Sequence, residues 1–429
     1  MNIDFRNRMQ ITQSELKEAE VLILFAADFK MRNSDVEYKF RQNSDYFYHT
    51  GIEEADGILV LKKDWSAHFA LPKDKEKEIW TGIRLGKDLI REKLNLNESF
   101  DLAEWDTKKE EILTNTATLF HFFGQNPDRD RELLTLCSTL NRKLREGKFG
   151  PKRIEIPEFL HERRLIKTAE EIEIIQRAVQ ITKNGHEKIM KICRPGMNEY
   201  ELEAVLEEEY LKGGAWGGGY GHIVAGGKNA TVLHYNTNRE ILRDNDVVLV
   251  DSGAEVNYYT ADVTRIFPVG KKFSTAQSEI YSLVLEVQKK AILMTVEGNT
   301  VQEIHQETVR NLTEGLVSLS LLSGSVAENI ENMNYKKFYM HRTGHWLGMD
   351  VHDAGSYYVK GNPRPLQNGM ITTVEPGLYF DPNDESIPAH YRGIGVRIED
   401  NVLVNGKNPV NLTAGIVKEI SEIEALRNS

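Results

Sequence analysis

Cysteine is nearly absent: two residues, Cys137 and Cys193, in a chain of 429. Two thiols support neither a disulfide framework nor a cysteine metal site, and they fit a reducing cytoplasm. Long apolar runs are missing too. The opening MNIDFRNRMQ lacks a secretory stretch, and no segment approaches the roughly 20 apolar residues a membrane helix requires. Neither export nor membrane association is therefore expected. Basic charge is in deficit, with 54 Lys and Arg against 65 Asp and Glu and a formal net charge of −11. That balance argues against nucleic acid as the main partner. No low-complexity tail or heptad array is visible. What remains is ordinary globular composition, 40% hydrophobic, on a chain too long for one typical core and suited to two domains.

Residues 1–165 mix short strands and helices. VLILFAA (21–27), DGILVL (56–61), SAHFALP (66–72) and TATLFHFFG (116–124) read as strands, being short, apolar or alternating, and bounded by charge, Gly or Pro. The stretch 73–94 reads as a helix interrupted by glycine, and 128–148 as another. Strands alternating with helices indicate an α/β layer. Prolines and charges at GPKRIEIPEFLHERRLIK (150–167) mark a boundary, leaving 166–429 as a second domain. That domain opens on a capping box, Thr168 with Glu171. Ile172, Ile175, Val179 and Ile189 then form the apolar face of a long helix. A second helix covers 198–214. The glycines of 213–227 lack the strand–GxGxxG–helix context of a dinucleotide site, so they read as a flexible connection or a closely packed strand edge. Strands dominate 222–267, a helix pair covers 275–320, and strands return over 338–404.

Five side chains in this second domain carry the chemistry. Asp251 closes VVLVD (247–251), and Asp262 follows in TADVTRIF (260–267). His345 lies in HRTGHWLGMDVHD (341–353), Glu375 closes ITTVE (371–375), and Glu399 lies in GVRIED (395–400). Four carboxylates brought within a few ångströms would repel by about 4 kcal/mol per close pair at an effective dielectric of about 20, forcing protonation on one another. Two divalent cations remove that conflict, and oxygen-rich ligation with one imidazole suits Mn, Co, Fe or Zn rather than a thiolate zinc site. The pattern is also duplicated. LRDNDVVLVDSG (242–253) aligns without a gap on LQNGMITTVEPG (366–377), so that Asp251 meets Glu375. Upstream, TAEEI (168–172) answers TAQSEI (275–280), and Gly196 with Glu201 answers Gly298 with Glu303. Two copies of a helix–helix–strand unit, each delivering an acid, would meet at a pseudo-twofold axis.

The strings HWLGMDVHD (345–353), TVEPGLY (373–379) and YRGIGVRIED (391–400) resemble the aminopeptidase P and prolidase branch of the pita-bread metallopeptidases. RQNSDYFYHTG (41–51) and EIWTGIRLG (78–86) resemble the bacterial aminopeptidase P side of that branch. The resemblance implies an N-terminal mixed-sheet α/β domain followed by a C-terminal pita-bread domain with an internal pseudo-twofold repeat. It further implies two divalent ions per subunit, Mn foremost, and peptides with proline in the second position as substrates. Asp251 and Asp262 would hold one ion, His345 and Glu375 the other, with Asp262 and Glu399 bridging. Such a pair lowers the pKa of a shared water toward neutrality. Glu375 would also move the proton to the leaving nitrogen, and His352 would stabilise the developing oxyanion. His234 would contact the substrate near that nitrogen, and His341 would wall the proline pocket. Arg397 and Tyr379 would stand behind the ligands, Arg397 orienting Asp251. His186, His222 and His305 read as ordinary residues.

The resemblance also implies a homodimer or homotetramer formed through the N-terminal domain. Trp80 reads either as core or as an aromatic reaching a neighbouring subunit's cleft. One departure from many relatives is Arg342, where glycine follows the first histidine of HxxxH; it leaves the ligand set alone and bears on access or on the residue preferred beyond proline. Three other readings stand beside the main one. A prolidase would be restricted to dipeptides, a creatinase would use the fold without metal, and a catalytically dead binding module would have lost the ligands.

Overall fold

A computed structural model describes residues 3–429, which fall into two compact units, one ending at His161 and one running from Glu162 to Ser429. The first is built on a six-stranded sheet ordered Glu98–Asp101, Trp65–Ala70, Ile58–Lys62, Glu20–Phe25, Thr118–Phe120, Arg153–Glu155. The sheet is mixed: Glu20–Phe25 runs antiparallel to Ile58–Lys62 and parallel to Thr118–Phe120. Its central strands are apolar at nearly every position because both faces are covered. Leu22, Leu24, Leu59 and Leu61 enter one core, and Val21, Ile23, Ile58, Val60 and Phe69 enter the other, as period-two alternation requires.

Helices cover the faces. The stretch read as one interrupted helix is two, Lys75–Thr81 and Gly86–Leu94. The helix expected to reach 148 ends at Leu140, where the Asn141 side chain donates to the Cys137 and Pro151 carbonyls and closes the last turn. The strand expected over 116–124 keeps three residues, Thr118–Phe120, since the Gly124 N–H is taken by Asp130 and the chain leaves the sheet. Trp80 is not core: it is 88% exposed, beside Ile79 and Ile83, which are also exposed.

The second unit shows the duplication as hydrogen bonds. Helices Ala169–Ile192 and Glu199–Lys212 precede one small sheet; helices Thr275–Leu293 and Val301–Ser318 precede the other. All four carry a capping box, at Thr168/Glu171, Asn198/Glu201, Ser274/Gln277 and Thr300/Glu303, each satisfying two otherwise orphaned N–H groups. In the first copy Gly196 N–H donates to the Leu242 carbonyl and Leu242 N–H to Met197. In the second, Gly298 N–H donates to Leu366 and Leu366 N–H to Asn299. These are the residues that the sequence alignment pairs. The sheets are ordered Thr264–Pro268, Val247–Asp251, Ile223–Gly226 and Ile371–Val374, Asp400–Leu403, Val410–Asn411.

The expectation of strands throughout 338–404 fails over 338–357, which is irregular apart from an isolated bridge of Trp346 to Thr372. There Leu347 N–H donates to Ile371, and the Thr373 and Glu375 N–H groups donate to His345 and Thr343; side chains reinforce it. Thr372 Oγ1 donates to the His345 carbonyl, Thr373 Oγ1 accepts from His345 N–H, and Tyr357 Oη accepts from Trp346 N–H. Among the described residues no helix is long and apolar enough to cross a membrane.

Candidate functional site

Each acid is delivered by an element whose apolar residues bury it. Val247–Asp251 is wholly buried at the centre of its sheet, so its last residue emerges at the strand end, paired with Thr264 and Ile223. The hairpin Glu255–Val256/Tyr259–Thr260 turns through Asn257 and Tyr258, both at positive φ, and returns Asp262 beside Asp251. The two segments touch because residue 253 is glycine: a Cβ there would stand 1.8 Å from the Ala261 carbonyl oxygen. Gly344 does the same in the second copy, where a Cβ would lie 1.9 Å from the Thr373 carbonyl oxygen. That approach sets His345 against the strand Ile371–Val374, which ends one residue before Glu375.

Glu399 and Asp400 are neighbours with opposite fates. Asp400 turns into a cationic pocket, 2.7 Å from Arg265 and 2.5 Å from Lys418. Burial there opposes its charge, but the two cations hold its carboxyl well below the usual range. Glu399 turns the other way and meets Thr264 Oγ1 at 2.6 Å.

The side chains converge on a cleft of about 820 Å³ lined by Asp251, Asp262, Glu375, Glu399, His345, His234, His341, His352 and Arg397. Ligand-type atoms of Asp262, His345 and Glu399 lie within 4.8 Å of one another. Glu375 joins them through His345 Nε2, 3.6 Å from its carboxylate, while Asp262 is 3.3 Å from the same nitrogen. Asp251 stands somewhat apart, bound through one oxygen to Arg397 at 2.7 Å and through the other to Tyr220 at 2.6 Å. Tyr379 is not on the cleft wall; it accepts from Arg397 at 3.1 Å and meets His341 Nε2 at 2.9 Å.

Carbonyl oxygens only accept, and this fixes two tautomers. His345 Nδ1 donates to the Trp346 carbonyl at 3.0 Å, turning Nε2 toward the acids, an orientation common in metal-binding histidines. His341 Nδ1 donates to the Arg342 carbonyl at 2.7 Å, so its Nε2 accepts from Tyr379, which accepts in turn from Arg397. His341 is thereby a rigid neutral ring, and burial pushes its pKa down to about 3. His352 is exposed, its ring 4.3 Å from that of His345 and near perpendicular to it; burial and the His345 charge lower its pKa. His234 is exposed on the cleft wall.

The electrostatics favour positive charge in the site. Burial, aggravated by the neighbouring carboxylates, raises Glu375 to about 7 and Glu399 well above the carboxylate range; Asp251 is raised by burial despite Arg397. His345 is raised to about 9, burial being outweighed by Asp262 and Glu375. Asp251, Glu375 and Glu399 thus favour their protonated forms more than ordinary carboxylates do, and a cation would displace those protons. The donor set is oxygen-rich with one imidazole, and it fits a hard or borderline divalent metal.

Several residues here escaped the sequence reading. Tyr220 bridges Asp251 and Asp262, its Oη 2.6 and 2.5 Å from them. Nothing in GGGYGH marks it. It arrives because the glycine segment is a packed edge, with Gly218 bridging Ala254 and Gly219 N–H donating to Gly253. His305 lines the cleft and bonds Thr343, although read as ordinary. His186 and His222 lie behind the site, both on Ser252.

Residues 173–406 match metallopeptidase family M24, and residues 5–120 match the aminopeptidase P N-terminal domain. The chain is 39% identical to an Xaa-Pro aminopeptidase of Escherichia coli strain K12, covering 99% of this chain and 97% of the relative. It is 41% identical to the Xaa-Pro aminopeptidase of Haemophilus influenzae, with the same coverage. Among solved structures it is similar to Pseudomonas aeruginosa aminopeptidase PepP (TM-score 0.96, 39% identity, covering 100% of this chain and 98% of that one). It is likewise similar to zinc-substituted E. coli aminopeptidase P in complex with product (TM-score 0.96, 38% identity, covering 100% and 99%).

Proposed function

Because the chain belongs to metallopeptidase family M24 and carries the aminopeptidase P N-terminal domain, we propose that it hydrolyses the bond between an N-terminal residue and a following proline. The observation that carries this is the gathering of four acids and one imidazole in one cleft, with burial raising Glu375 and Glu399, on a chain alike over its full length to Xaa-Pro aminopeptidases.

Asp251, Asp262, His345, Glu375 and Glu399 would hold two divalent ions, Mn foremost and Co, Zn or Fe compatible. When bound, such a pair supplies Lewis acidity and lowers the pKa of water toward neutrality. The remaining chemistry belongs to the chain. Glu375 accepts and returns a proton at its carboxylate on the way to the leaving nitrogen. His352, neutral and exposed beside His345, donates to the scissile carbonyl oxygen. His234 contacts the substrate near the leaving nitrogen, and His341 walls the proline ring. Arg397 holds Asp251 and, through Tyr379, His341. An Xaa-Pro bond has no N–H on its leaving side and a φ fixed near roughly −65°, so a shaped, rigid pocket gains what an N–H contact would otherwise provide.

The exposed trio Ile79, Trp80 and Ile83 supports self-association through the N-terminal unit, as a dimer or tetramer, with Trp80 reaching a neighbour's cleft. Two buried free thiols support a cytoplasmic setting. Metal analysis with an assay on Gly-Pro-Ala tests the reading. Two equivalents of metal and release of free glycine, lost on chelation and abolished by Asp262→Ala or Glu399→Ala, are expected. Cleavage of Xaa-Pro dipeptides alone would favour the prolidase reading, and full activity in both variants would end either.

A further inference from the structure

Of the two arginines on the cleft wall, one is committed and one is not. Arg397 is buried and bonded to Asp251, Tyr379 and Thr264. Arg342 is exposed, and its guanidinium has neither a hydrogen bond nor an ion pair among the described residues. Lys336, also exposed, is likewise uncommitted. Both charges are felt at His305, on the same wall, whose pKa is lowered to about 4 by burial, then by Arg342 and Lys336. This side of the cleft is therefore positive, in a chain whose net charge is −11. The opposite pole is the acid cluster.

That polarity orients a peptide. Resting on the Xaa-Pro reading above, the reacting carbonyl lies at the acids, and a protonated N-terminal amine is attracted there and repelled by Arg342. The chain beyond proline must then leave past His341, whose Nδ1 is anchored on the Arg342 carbonyl. We propose that Arg342 is a specificity residue that binds a carboxylate downstream of the proline, either an acidic side chain or the C-terminus of a short peptide. A guanidinium suits this because its fork can take both carboxylate oxygens at once.

The test uses the manganese-loaded full chain and four peptides: Ala-Pro-Glu-amide against Ala-Pro-Gln-amide, and Ala-Pro-Ala free acid against its amide. In the wild type the charged member of at least one pair has a KM lower by about three- to fivefold, the size of an exposed ion pair, with kcat little changed. Salt drives that preference toward one. Arg342→Gln erases it, and Arg342→Lys keeps part. Because each ratio is taken within one enzyme, a general loss of activity cancels. Loss confined to the Glu/Gln pair assigns a side-chain carboxylate; loss confined to the acid/amide pair assigns the chain terminus. Wild-type ratios of one, ratios indifferent to salt, or ratios unchanged in Arg342→Gln overturn the proposal. Failure of the wild type to cleave any of the four would instead overturn the peptidase reading beneath it.

Discussion

Tyr220 places one phenolic proton between two carboxylates, at 2.6 Å from Asp251 and 2.5 Å from Asp262. Burial and those two charges raise its pKa well above the ordinary tyrosine value, so it stays a donor. A single hydroxyl proton serves one strong bond at a time, which suits a residue that aligns two prospective ligands rather than one that reacts. Tyr220→Phe keeps the ring and removes the alignment. Loss of such an outer partner costs roughly 10–100-fold in metal affinity or activity. Competition with a chelator should show weaker metal retention, with thermal stability of the metal-free protein little altered. Retention equal to wild type would assign Tyr220 to packing alone.

Elements here are joined by closeness of backbone. Gly253 and Gly344 let two turns lie against the Ala261 and Thr373 carbonyls, and each close approach seats a prospective ligand, Asp262 or His345. The neighbour at 1.8 Å is main-chain carbonyl, which cannot swing aside as a side chain can. Gly253→Ala should therefore destabilise by about 1–3 kcal/mol, the usual cost of overpacking, and move Asp262 with it. Denaturant titration measures the first effect and metal affinity the second. An unchanged midpoint with unchanged metal binding would mean the turn has slack that the packing does not show. Away from the cleft, the capping boxes that start all four major helices carry no such constraint, and their signature was legible in the sequence at Thr168/Glu171.

For the molecule as a whole, the metal-free acid cluster makes stability depend on pH with a definite sign. Glu375 holds its proton to about pH 7 in the fold, against an ordinary glutamate value near ~4.3. Its contribution is complete below the unfolded pKa and is lost as pH rises through about 7. His345, raised to about 9, contributes in the same sense, lost as pH rises through 9. The buried histidines His68, His186, His305 and His341 are depressed by burial, so they oppose this trend only below their unfolded value of about 6.5. Above it, the cluster decides. Chelator-treated protein should lose melting temperature between about pH 6.5 and 8.5, while the manganese-loaded protein holds, since bound cations replace the protons. A gap between the two that stays constant or narrows over that range would contradict the cluster as described.

The sequence by itself determined the strands, the long helices, the duplication and the identity of the acids. Those signals are local: an unbroken short apolar run in VLILFAA, a Thr with Glu three residues on, an apolar run ending in Asp251 or Glu375. The equivalence of Leu242 with Leu366, seen first as letters in register, became the same pair of backbone hydrogen bonds in each copy. Only tertiary structure decided the rest. That Glu399 faces the cluster and its neighbour Asp400 faces Arg265 depends on side-chain direction between strands far apart in sequence. Tyr220 and His305 join the site across gaps that no local pattern spans. The irregular run 338–357 hid behind its apolar content because only a short backbone bridge to 371–375, reinforced by hydroxyls of Thr372, Thr373 and Tyr357, holds it. Burial, finally, is a property of the folded whole, and it is burial that raises Asp251, Glu375 and Glu399 above ordinary acids.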